Sequence, residues 1–322
     1  METPGVLEST RPVVEGARSV RIDRPRLEEL CREWARTPFP VPPWDESVHW
    51  SDGGEATANH ILVLDALNFC FWPDPGEVRW TTEYRGERVG GYRALAASLK
   101  RAAEEGIPVH DAAWLAAVKQ EDLEHVFRGE GRIPLFERRL ANAREVGRVL
   151  QELYGGQFSR AIDSCGGSAV RLVHLLEREF SSFRDLATWQ GHPVRLLKRA
   201  QITVVDLYGA FGGTRWGAFH DLDALTAFAD YKIPQVLRAL GVMVYEPDLA
   251  ARVDRRELLE AGSEEEVEIR AAMIWAVEWI REALAAHGVV RRPFELDWFL
   301  WNLGQEPVPD ERPYHRTRTW FY

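Results

Sequence analysis

The chain has 322 residues, of which 45% are hydrophobic and 28% are charged, so it has enough apolar material for one large domain or two intertwined ones. Its formal net charge of −10 predicts no binding of duplex nucleic acid, because such binding depends on neutralising phosphate groups. No apolar run approaches the roughly 20 residues that a membrane-spanning helix needs, so we expect no membrane partner.

The cysteines Cys31, Cys70 and Cys165 are odd in number and lack CxxC spacing. This pattern disfavours a disulfide framework or a zinc site and is typical of a reducing compartment. The first residues also lack the basic region and apolar core of a secretory signal. We therefore expect a cytoplasmic protein without a metal or another cofactor.

Apolar periodicity predicts a mainly helical first half of the chain. A proline-rich loop at 38–44 leads to His49, which is flanked by tryptophans, a setting that more often holds a packed histidine than a binding residue. The apolar run at 60–72 contains Asp65 and Asn68, which we expect to brace the backbone or a helix end. The other predicted elements are an extended segment at 14–22, helices at 24–35, 91–105, 112–118 and 134–152, and a small hairpin at 83–92 around Gly86.

A Gly- and Ser-rich connector at 154–168 is a candidate subdomain boundary within a single domain spanning 1–322. Beyond it, the pattern predicts a helix at 168–178 and another that starts near Pro193. The latter is apolar almost all round, which indicates a central position in the fold. Lys198 on this helix must therefore extend to solvent or meet a partner.

The segment 222–241 is typical of a helix, a tight corner and a second helix. Asp221 or Asp223 could cap the first helix, and Pro234 suits the first turn of the second. The corner presents an acid, a phenol and an amine, namely Asp230, Tyr231 and Lys232. Such a corner could carry chemistry, or it could be a solvated turn in which Asp230 only caps the second helix.

Two further helices are predicted at 264–286 and 295–303, and the tail after them is basic and aromatic. We therefore predict a mainly α fold with one or two small β pairs.

Several blocks of this sequence together resemble one known family, the queuosine salvage proteins, which are queuosine 5′-phosphate N-glycosylases. The resemblance runs in order from about residue 20 to the C-terminus. It implies a multi-helix fold similar to helix-hairpin-helix DNA glycosylases. The blocks are DALNFCFW at 65–72, LLKRAQITVVDL at 196–207, FADYKIPQVLRALG at 228–241, EVEIR at 266–270, LDWFLWN at 296–302 and HRTRTWFY at 315–322.

The resemblance also implies an activity and its site. The reaction would be hydrolysis of the N-glycosidic bond of queuosine 5′-phosphate, releasing queuine and ribose 5-phosphate for queuine salvage and tRNA modification, without a cofactor. Asp230 would be the catalytic carboxylate. The residues implied in or near the substrate site are His49, Lys198, Phe228, Tyr231, Asp297 and Trp298.

One position departs from the family pattern. Many relatives carry a second acid where this chain has Asn302, and an amide can hydrogen-bond but cannot supply charge. The resemblance therefore implies no charged contact with a cationic substrate at Asn302.

The chemistry of the reaction explains these residue types. Cleavage of an N-glycosidic bond develops positive charge at the anomeric carbon, which Asp230 could stabilise or attack. A nearby ammonium, from Lys198 or Lys232, would lower the pKa of Asp230 and keep it ionised. Aromatic rings, including Trp275, could stack on the flat base. The 5′-phosphate needs a cation, for which the candidates are Lys198, Lys232 and Arg199.

Three alternatives stay open. The chain could be a helix-hairpin-helix DNA-repair glycosylase, although its DYKIP corner lacks the glycines that let such a hairpin approach a phosphate. It could be a non-catalytic queuine- or nucleoside-binding protein with the same pocket. It could also be an all-α scaffold in which Asp230 is only a helix cap.

Overall fold

The computed structural model of the chain describes residues 5–36, 40–305 and 312–322, and these residues form a mainly helical structure. None of the described helices is both long and apolar enough to cross a membrane. In chain order the helices are α1 (Val6–Gly16), α2 (Arg24–Trp34), α3 (Glu55–Ala66), α4 (Gly91–Glu104), α5 (Ala112–Ala117), α6 (Gln120–Val126), α7 (Phe136–Tyr154), α8 (Phe158–Ser164), α9 (Ala169–Glu179), α10 (Lys198–Ala210), α11 (Lys232–Ala239), α12 (Pro247–Asp254), α13 (Glu264–Ala286) and α14 (Pro293–Leu303).

The strands of the described residues are short and form two-stranded pairs. They are β1 (Val20–Ile22), β2 (Thr81–Tyr84), β3 (Glu87–Gly90), β4 (Leu186–Trp189), β5 (His192–Arg195), β6 (Met243–Tyr245), β7 (Leu258–Leu259) and β8 (Arg316–Thr317). The pairs β2–β3 and β4–β5 are local antiparallel hairpins. The antiparallel pair β1–β6 and the parallel pair β7–β8 join distant parts of the chain, so the structure has more β pairs than the sequence predicts.

The chain divides into two compact units, each built from separate stretches of sequence. The first unit comprises residues 1–42, 185–198 and 222–319, and the second comprises 43–184, 199–221 and 320–322. The connector at 154–168 lies within the second unit, where part of it forms α8.

Helix α13 is the centre of the first unit, where it packs against α1, α2, α11, α14 and β1. Its bounds agree with the predicted helix at 264–286. Three acids in its first turn complement the helix dipole, and the hydroxyl of Ser263 caps it by accepting from the Glu266 N–H. Buried residues occur on every side of its middle, which explains why one helix can contact so many elements.

Helices α11 and α14 approach each other closely. A Cβ added to Gly304, at the end of α14, would lie 2.6 Å from the side chain of Val236 on α11, so a glycine is needed there. Both helices also pack on α13. This close packing leaves little freedom for the segment that precedes α11.

In the second unit, α7 packs along α5 and also contacts α3 and α8. Gly147 permits the approach of α7 to α5, because an added Cβ would lie 2.2 Å from the backbone nitrogen of Ala116. Asn142 of α7 donates to the carbonyl of Ala66 at the end of α3. Helix α3 is buried along most of its length, as its apolar sequence predicts.

The helix predicted to start near Pro193 is wrong at its beginning. Pro193 lies in β5, and the helix itself, α10, starts at Lys198. Gln190 and Gly191 both have positive φ, at 47° and 83°, as in the two-residue turns that join antiparallel strands. This turn makes a hairpin of a stretch that apolar periodicity assigns to a helix.

The predicted first helix at 222–228 is also wrong, since only a single 3₁₀ turn forms, at Leu222–Ala224. Asp221 does cap a helix, but it is α9, through the Ala169 N–H at 2.5 Å and the Ser168 hydroxyl at 2.6 Å. Residues 225–230 have no regular secondary structure. The N-terminal expectation was likewise incomplete, because 14–22 contains the end of α1 as well as β1. Part of the predicted loop at 38–44 lies outside the described residues.

Candidate active site

Asp230 lies two residues before the start of α11 and is only 9% exposed. Its Oδ1 accepts the backbone N–H of Ile233 at 2.9 Å, and it also accepts from the backbone of Lys232. These are the bonds of a helix cap, so the capping role considered from the sequence is real. They also fix the carboxylate in one orientation at the positive end of a helix.

Asp297 of α14 is the second buried acid near this segment and is 4% exposed. Its Oδ2 accepts the backbone N–H of Phe228 at 2.7 Å. In a helix at 222–228 this N–H would bond to a backbone carbonyl one turn earlier. Here it bonds to Asp297 instead, and residues 225–230 have no regular secondary structure. Asp297 therefore fixes the segment that carries Asp230.

The carboxyl groups of Asp230 and Asp297 interact electrostatically. Burial raises the pKa of Asp230, while Lys198 and the capping N–H groups act in the opposite direction. Burial raises the pKa of Asp297 well above its usual value, and the charge of Asp230 raises it further. A proton held by the pair therefore resides on Asp297, and Asp230 is the member that ionises first.

Lys198, the first residue of α10, supplies the positive charge of this cluster. It is 7% exposed, and its ammonium lowers the pKa of both Asp230 and Asp297. The two acids and this amine thus form a buried group of one cation and two carboxyls within the first unit.

Three aromatic residues lie close to the two acids in the sequence. Phe228 is 3% exposed, and its backbone N–H is the one bonded to Asp297. Trp298 is half-buried and contacts Phe294 edge-on, with ring centroids 5.3 Å apart. Tyr231 is half-buried and packs against Tyr314 at 4.8 Å.

His49 belongs to the second unit, where it has well-defined partners. Its Nδ1 lies 2.7 Å from the carbonyl oxygen of Asp45, so Nδ1 carries the proton and donates. Its Nε2 lies 2.7 Å from the hydroxyl of Tyr92, and Trp44 stacks on the ring at 4.0 Å. Burial lowers the pKa of His49 to about 4, so the ring is neutral at neutral pH.

A family model described as queuosine salvage protein matches residues 48–322. The chain belongs to the queuosine salvage protein family. A relative from Sphaerobacter thermophilus, named queuosine 5′-phosphate N-glycosylase/hydrolase, is 54% identical over 99% of this chain and 98% of its own length. Relatives with the same name from Mus musculus and Dictyostelium discoideum are 35% and 36% identical, each over 98% of both chains.

The family resemblance noted from the sequence is thus confirmed, and the structure brings several of its implied residues together. Asp230, Asp297, Lys198 and Phe228 form one buried cluster in the first unit. Three helices, α11, α12 and α13, separate Asp230 from Asp297 in the sequence, so only the family motifs predicted that they share one site.

Three other candidate residues have neighbours that favour different roles. Trp275 donates its indole N–H to the Thr10 hydroxyl at 3.0 Å, and the Arg11 guanidinium lies over its ring at 4.6 Å, which joins α13 to α1. Asn302 is exposed and donates to the carbonyl of Trp298 in its own helix. Arg199 is 1% exposed, belongs to the second unit, and donates to backbone carbonyls, including that of Ala66 at 2.6 Å.

Sequence reasoning missed two charged residues next to the cluster. Arg270 donates to the carbonyl of Ala229, and Asp185 accepts from the backbone N–H of Lys198. Arg270 belongs to the EVEIR block, which matches the family but does not indicate what the arginine does. Nothing in the local sequence indicates a role for Asp185, because its partners lie far away in the sequence.

The protonation of Asp297 can be tested through stability. Since its pKa is raised in the folded protein above the usual 3.8, the stability this group contributes is fully present below that pH and is lost as the pH rises through the raised pKa. The variant Asp297→Asn keeps an oxygen for the Phe228 N–H but does not titrate. We expect its stability relative to wild type to increase with pH above about 4, by up to about 1.4 kcal/mol per pH unit.

The measurement is the melting temperature of both proteins across pH 4–8. The exposed acid Glu260 provides the control Glu260→Gln, which makes the same charge change at the surface. A constant difference between Asp297→Asn and wild type over this range would mean that Asp297 is ionised throughout.

Proposed function

We propose that this protein hydrolyses the N-glycosidic bond of queuosine 5′-phosphate and releases queuine and ribose 5-phosphate. The relatives reported above are named for this activity, and this chain aligns with them over nearly their whole length. The observation that carries the proposal is the buried pair of Asp230 and Asp297 beside the ammonium of Lys198. Two carboxyls whose pKa values differ can act as anion and acid in one reaction.

In this proposal Asp230 is the anion. The bond between the base and the anomeric carbon breaks as positive charge develops on the ribose. A fixed carboxylate below that carbon stabilises the charge or attacks the carbon directly. Lys198 and the N-terminus of α11 keep Asp230 ionised despite its burial. Water then supplies the hydroxyl of ribose 5-phosphate, and the proton that this water loses restores the protonated carboxyl of the pair.

Asp297 is the partner of the leaving base. A 7-deazapurine lacks the ring nitrogen that ordinary purines protonate, so the base must leave with help at another edge. The bond to Phe228 uses one oxygen of Asp297, and a protonated carboxyl can donate as well as accept. We therefore assign Asp297 to hydrogen bonding of the guanine-like edge and to delivery of the proton that balances the reaction.

The walls of the base pocket would be Phe228 and Trp298, since base–aromatic stacking contributes about 1–3 kcal/mol per base in single-strand binders. Tyr231 stays among the proposed substrate contacts. The substrate-binding role that the family resemblance implies for His49 also stays a proposal. We assign Trp275 to packing.

For the 5′-phosphate we propose Lys232. Its Nζ donates to the Gln235 side chain at 2.8 Å, and its side chain is half-buried beside the α11 N-terminus. Lys198 is engaged electrostatically with both carboxyls, and Arg199 is engaged with backbone carbonyls. A point charge at the start of a helix is a suitable partner for a phosphate.

We retain two further proposals, namely a fold similar to helix-hairpin-helix DNA glycosylases and a nucleotide rather than duplex DNA as substrate. The net charge of −10 supports the second, because duplex binding depends on cationic surface. Filter binding with plain duplex DNA at low salt tests the second proposal. Binding of the duplex with a micromolar dissociation constant would contradict it.

The role of Asp230 is tested by the variant Asp230→Asn. Asn caps a helix nearly as well as Asp, so the fold should persist. Without the negative charge, kcat for release of queuine from queuosine 5′-phosphate should fall by at least about 10²-fold, the effect of removing one preorganised electrostatic group. Chromatography of released queuine and thermal melting are the paired measurements.

The control Asp248→Asn removes an exposed acid from the first turn of α12 in the same unit. It should retain wild-type turnover. If Asp230→Asn melted and turned over like wild type, Asp230 would be a helix cap without a catalytic role.

The phosphate assignment predicts a change of substrate preference. In Lys232→Gln the ratio of kcat/KM for the monophosphate over the nucleoside should narrow by about 10-fold or more, since a charged hydrogen bond contributes about 1.5–3 kcal/mol. In Lys198→Gln both substrates should slow together, because the loss affects the carboxyls rather than the phosphate. If the ratio narrowed in Lys198→Gln and not in Lys232→Gln, the phosphate contact would belong to Lys198.

A further inference from the structure

A buried ion pair bonds to the backbone beside two members of the proposed catalytic cluster, Asp230 and Lys198. Arg270 of α13 and Asp185 are 3% and 2% exposed. Their bond is bidentate, with Nη1 donating to Oδ1 at 3.0 Å and Nη2 donating to Oδ2 at 2.6 Å. Glu266, one turn earlier on α13, accepts from the same Nη1 at 3.3 Å. The plane of the guanidinium is therefore fixed by two acids.

Another donor of this fixed plane bonds to the segment that carries Asp230. Arg270 Nε donates to the carbonyl oxygen of Ala229 at 3.1 Å. That carbonyl belongs to the peptide bond between Ala229 and Asp230, so its orientation fixes the direction in which the Asp230 side chain leaves the backbone. A lysine at position 270 could hold one of these partners but not the planar set.

The other end of the pair holds the backbone at Lys198. Asp185 Oδ2 accepts the Lys198 N–H at 3.2 Å, and the Asp185 carbonyl accepts the N–H groups of Leu196 and Leu197 at 3.1 and 3.2 Å. Leu197 has φ of +48°, in the left-handed region that a leucine rarely adopts. Such a conformation persists only where its surroundings determine it, and here Asp185 does so.

We propose that Arg270 and Asp185 are positioning residues that hold Asp230 and Lys198 in register for glycosidic bond cleavage. One side of the pair fixes the peptide before the carboxylate, and the other fixes the peptide before the ammonium. The pair itself does not touch the substrate. This inference rests on the proposed function, because it assigns the purpose of the pair to that reaction.

The geometry distinguishes this role from general stabilisation. A buried ion pair often stabilises a fold no better than apolar residues of similar volume, so stability alone does not explain it. Its bonds converge on the residues next to Asp230 and Lys198 from both sides. A misplacement of about 1 Å between reacting groups can cost about 10²-fold in rate, so a rigid link between them has a direct kinetic value.

The first test is Arg270→Lys, which keeps the charge and loses the planar fork. We expect kcat for queuosine 5′-phosphate to fall by at least about 10-fold, while the affinity for free queuine changes by less than about 3-fold. Assays are run well below the melting temperature of each variant. Wild-type kcat in folded Arg270→Lys would overturn the proposal.

Glu268 provides the matched control, since it is a buried acid on the same helix, two residues away, and is 1% exposed. Its bonds run to the backbone N–H of Ser19 at 2.7 Å and to the Trp189 indole at 3.3 Å. Glu268→Gln should lower the melting temperature but leave kcat within about 2-fold of wild type. An equal loss of kcat in both variants would show that any damage to α13 slows the enzyme, and the positioning role would fail.

The pH profile gives a readout that a merely structural role would not move. Asp230 is faced by Lys198 from α10, Lys232 from α11 and Asp297 from α14. If Asp230 and Lys198 move apart in Arg270→Lys, Lys198 lowers the pKa of Asp230 less than in wild type. The acidic limb of the pH profile of kcat/KM then shifts to higher pH. An unshifted limb together with an unchanged kcat contradicts the proposal.

Asp185→Asn is the second variant, nearly isosteric, and it serves if Arg270→Lys does not fold. It should slow turnover like Arg270→Lys, and the double variant should be no slower than the slower single one, because the two residues act as a unit. If the fold-losses of kcat in the two single variants multiplied in the double variant, the two residues would act separately, and the proposal that they act as a pair would be wrong. Absence of queuine release by the wild-type protein is a different result, which rejects the proposed function itself.

Discussion

The proposed site depends on one electrostatic constraint: the Asp230 carboxylate must stay ionised although it is buried. Burial opposes the charge of Asp230, and the Lys198 ammonium and the N–H groups at the start of α11 favour it. Asp297 meets the same burial and also the charge of its neighbour, so its pKa is raised well above the usual value. The difference between the two acids follows from their surroundings rather than from their residue type, and in the proposed reaction it provides an anion and an acid.

The capping and catalytic interpretations of Asp230 are compatible. The N–H groups of Lys232 and Ile233 satisfy the role of a cap, and they also orient the carboxylate and stabilise its charge. A helix N-terminus is therefore part of the proposed catalytic apparatus. The same reasoning explains why stability data alone cannot separate the two interpretations and why turnover must be measured beside melting.

Local sequence information predicted the elements whose determinants are local. The acidic start and apolar stripe of 264–286 gave α13, and the Gly86 turn gave the β2–β3 hairpin. It failed where distant groups decide, as at 222–228, where Asp297 takes a backbone N–H that a helix would use. The pairs β1–β6 and β7–β8 and the bond between Arg270 and Asp185 join residues far apart in sequence. The family resemblance predicted the proposed site residues, and the structure shows which groups bond to the backbone beside them.

A crystal structure of Asp230→Asn with intact queuosine 5′-phosphate would show directly whether Asp230 faces the bond that is cleaved. We expect the anomeric carbon to lie about 3–3.5 Å from the side chain of residue 230, the distance of a near-attack geometry, with the base edge on Asp297. A bound nucleotide whose anomeric carbon faces away from residue 230, or whose base does not contact Asp297, would contradict the proposed roles of both acids.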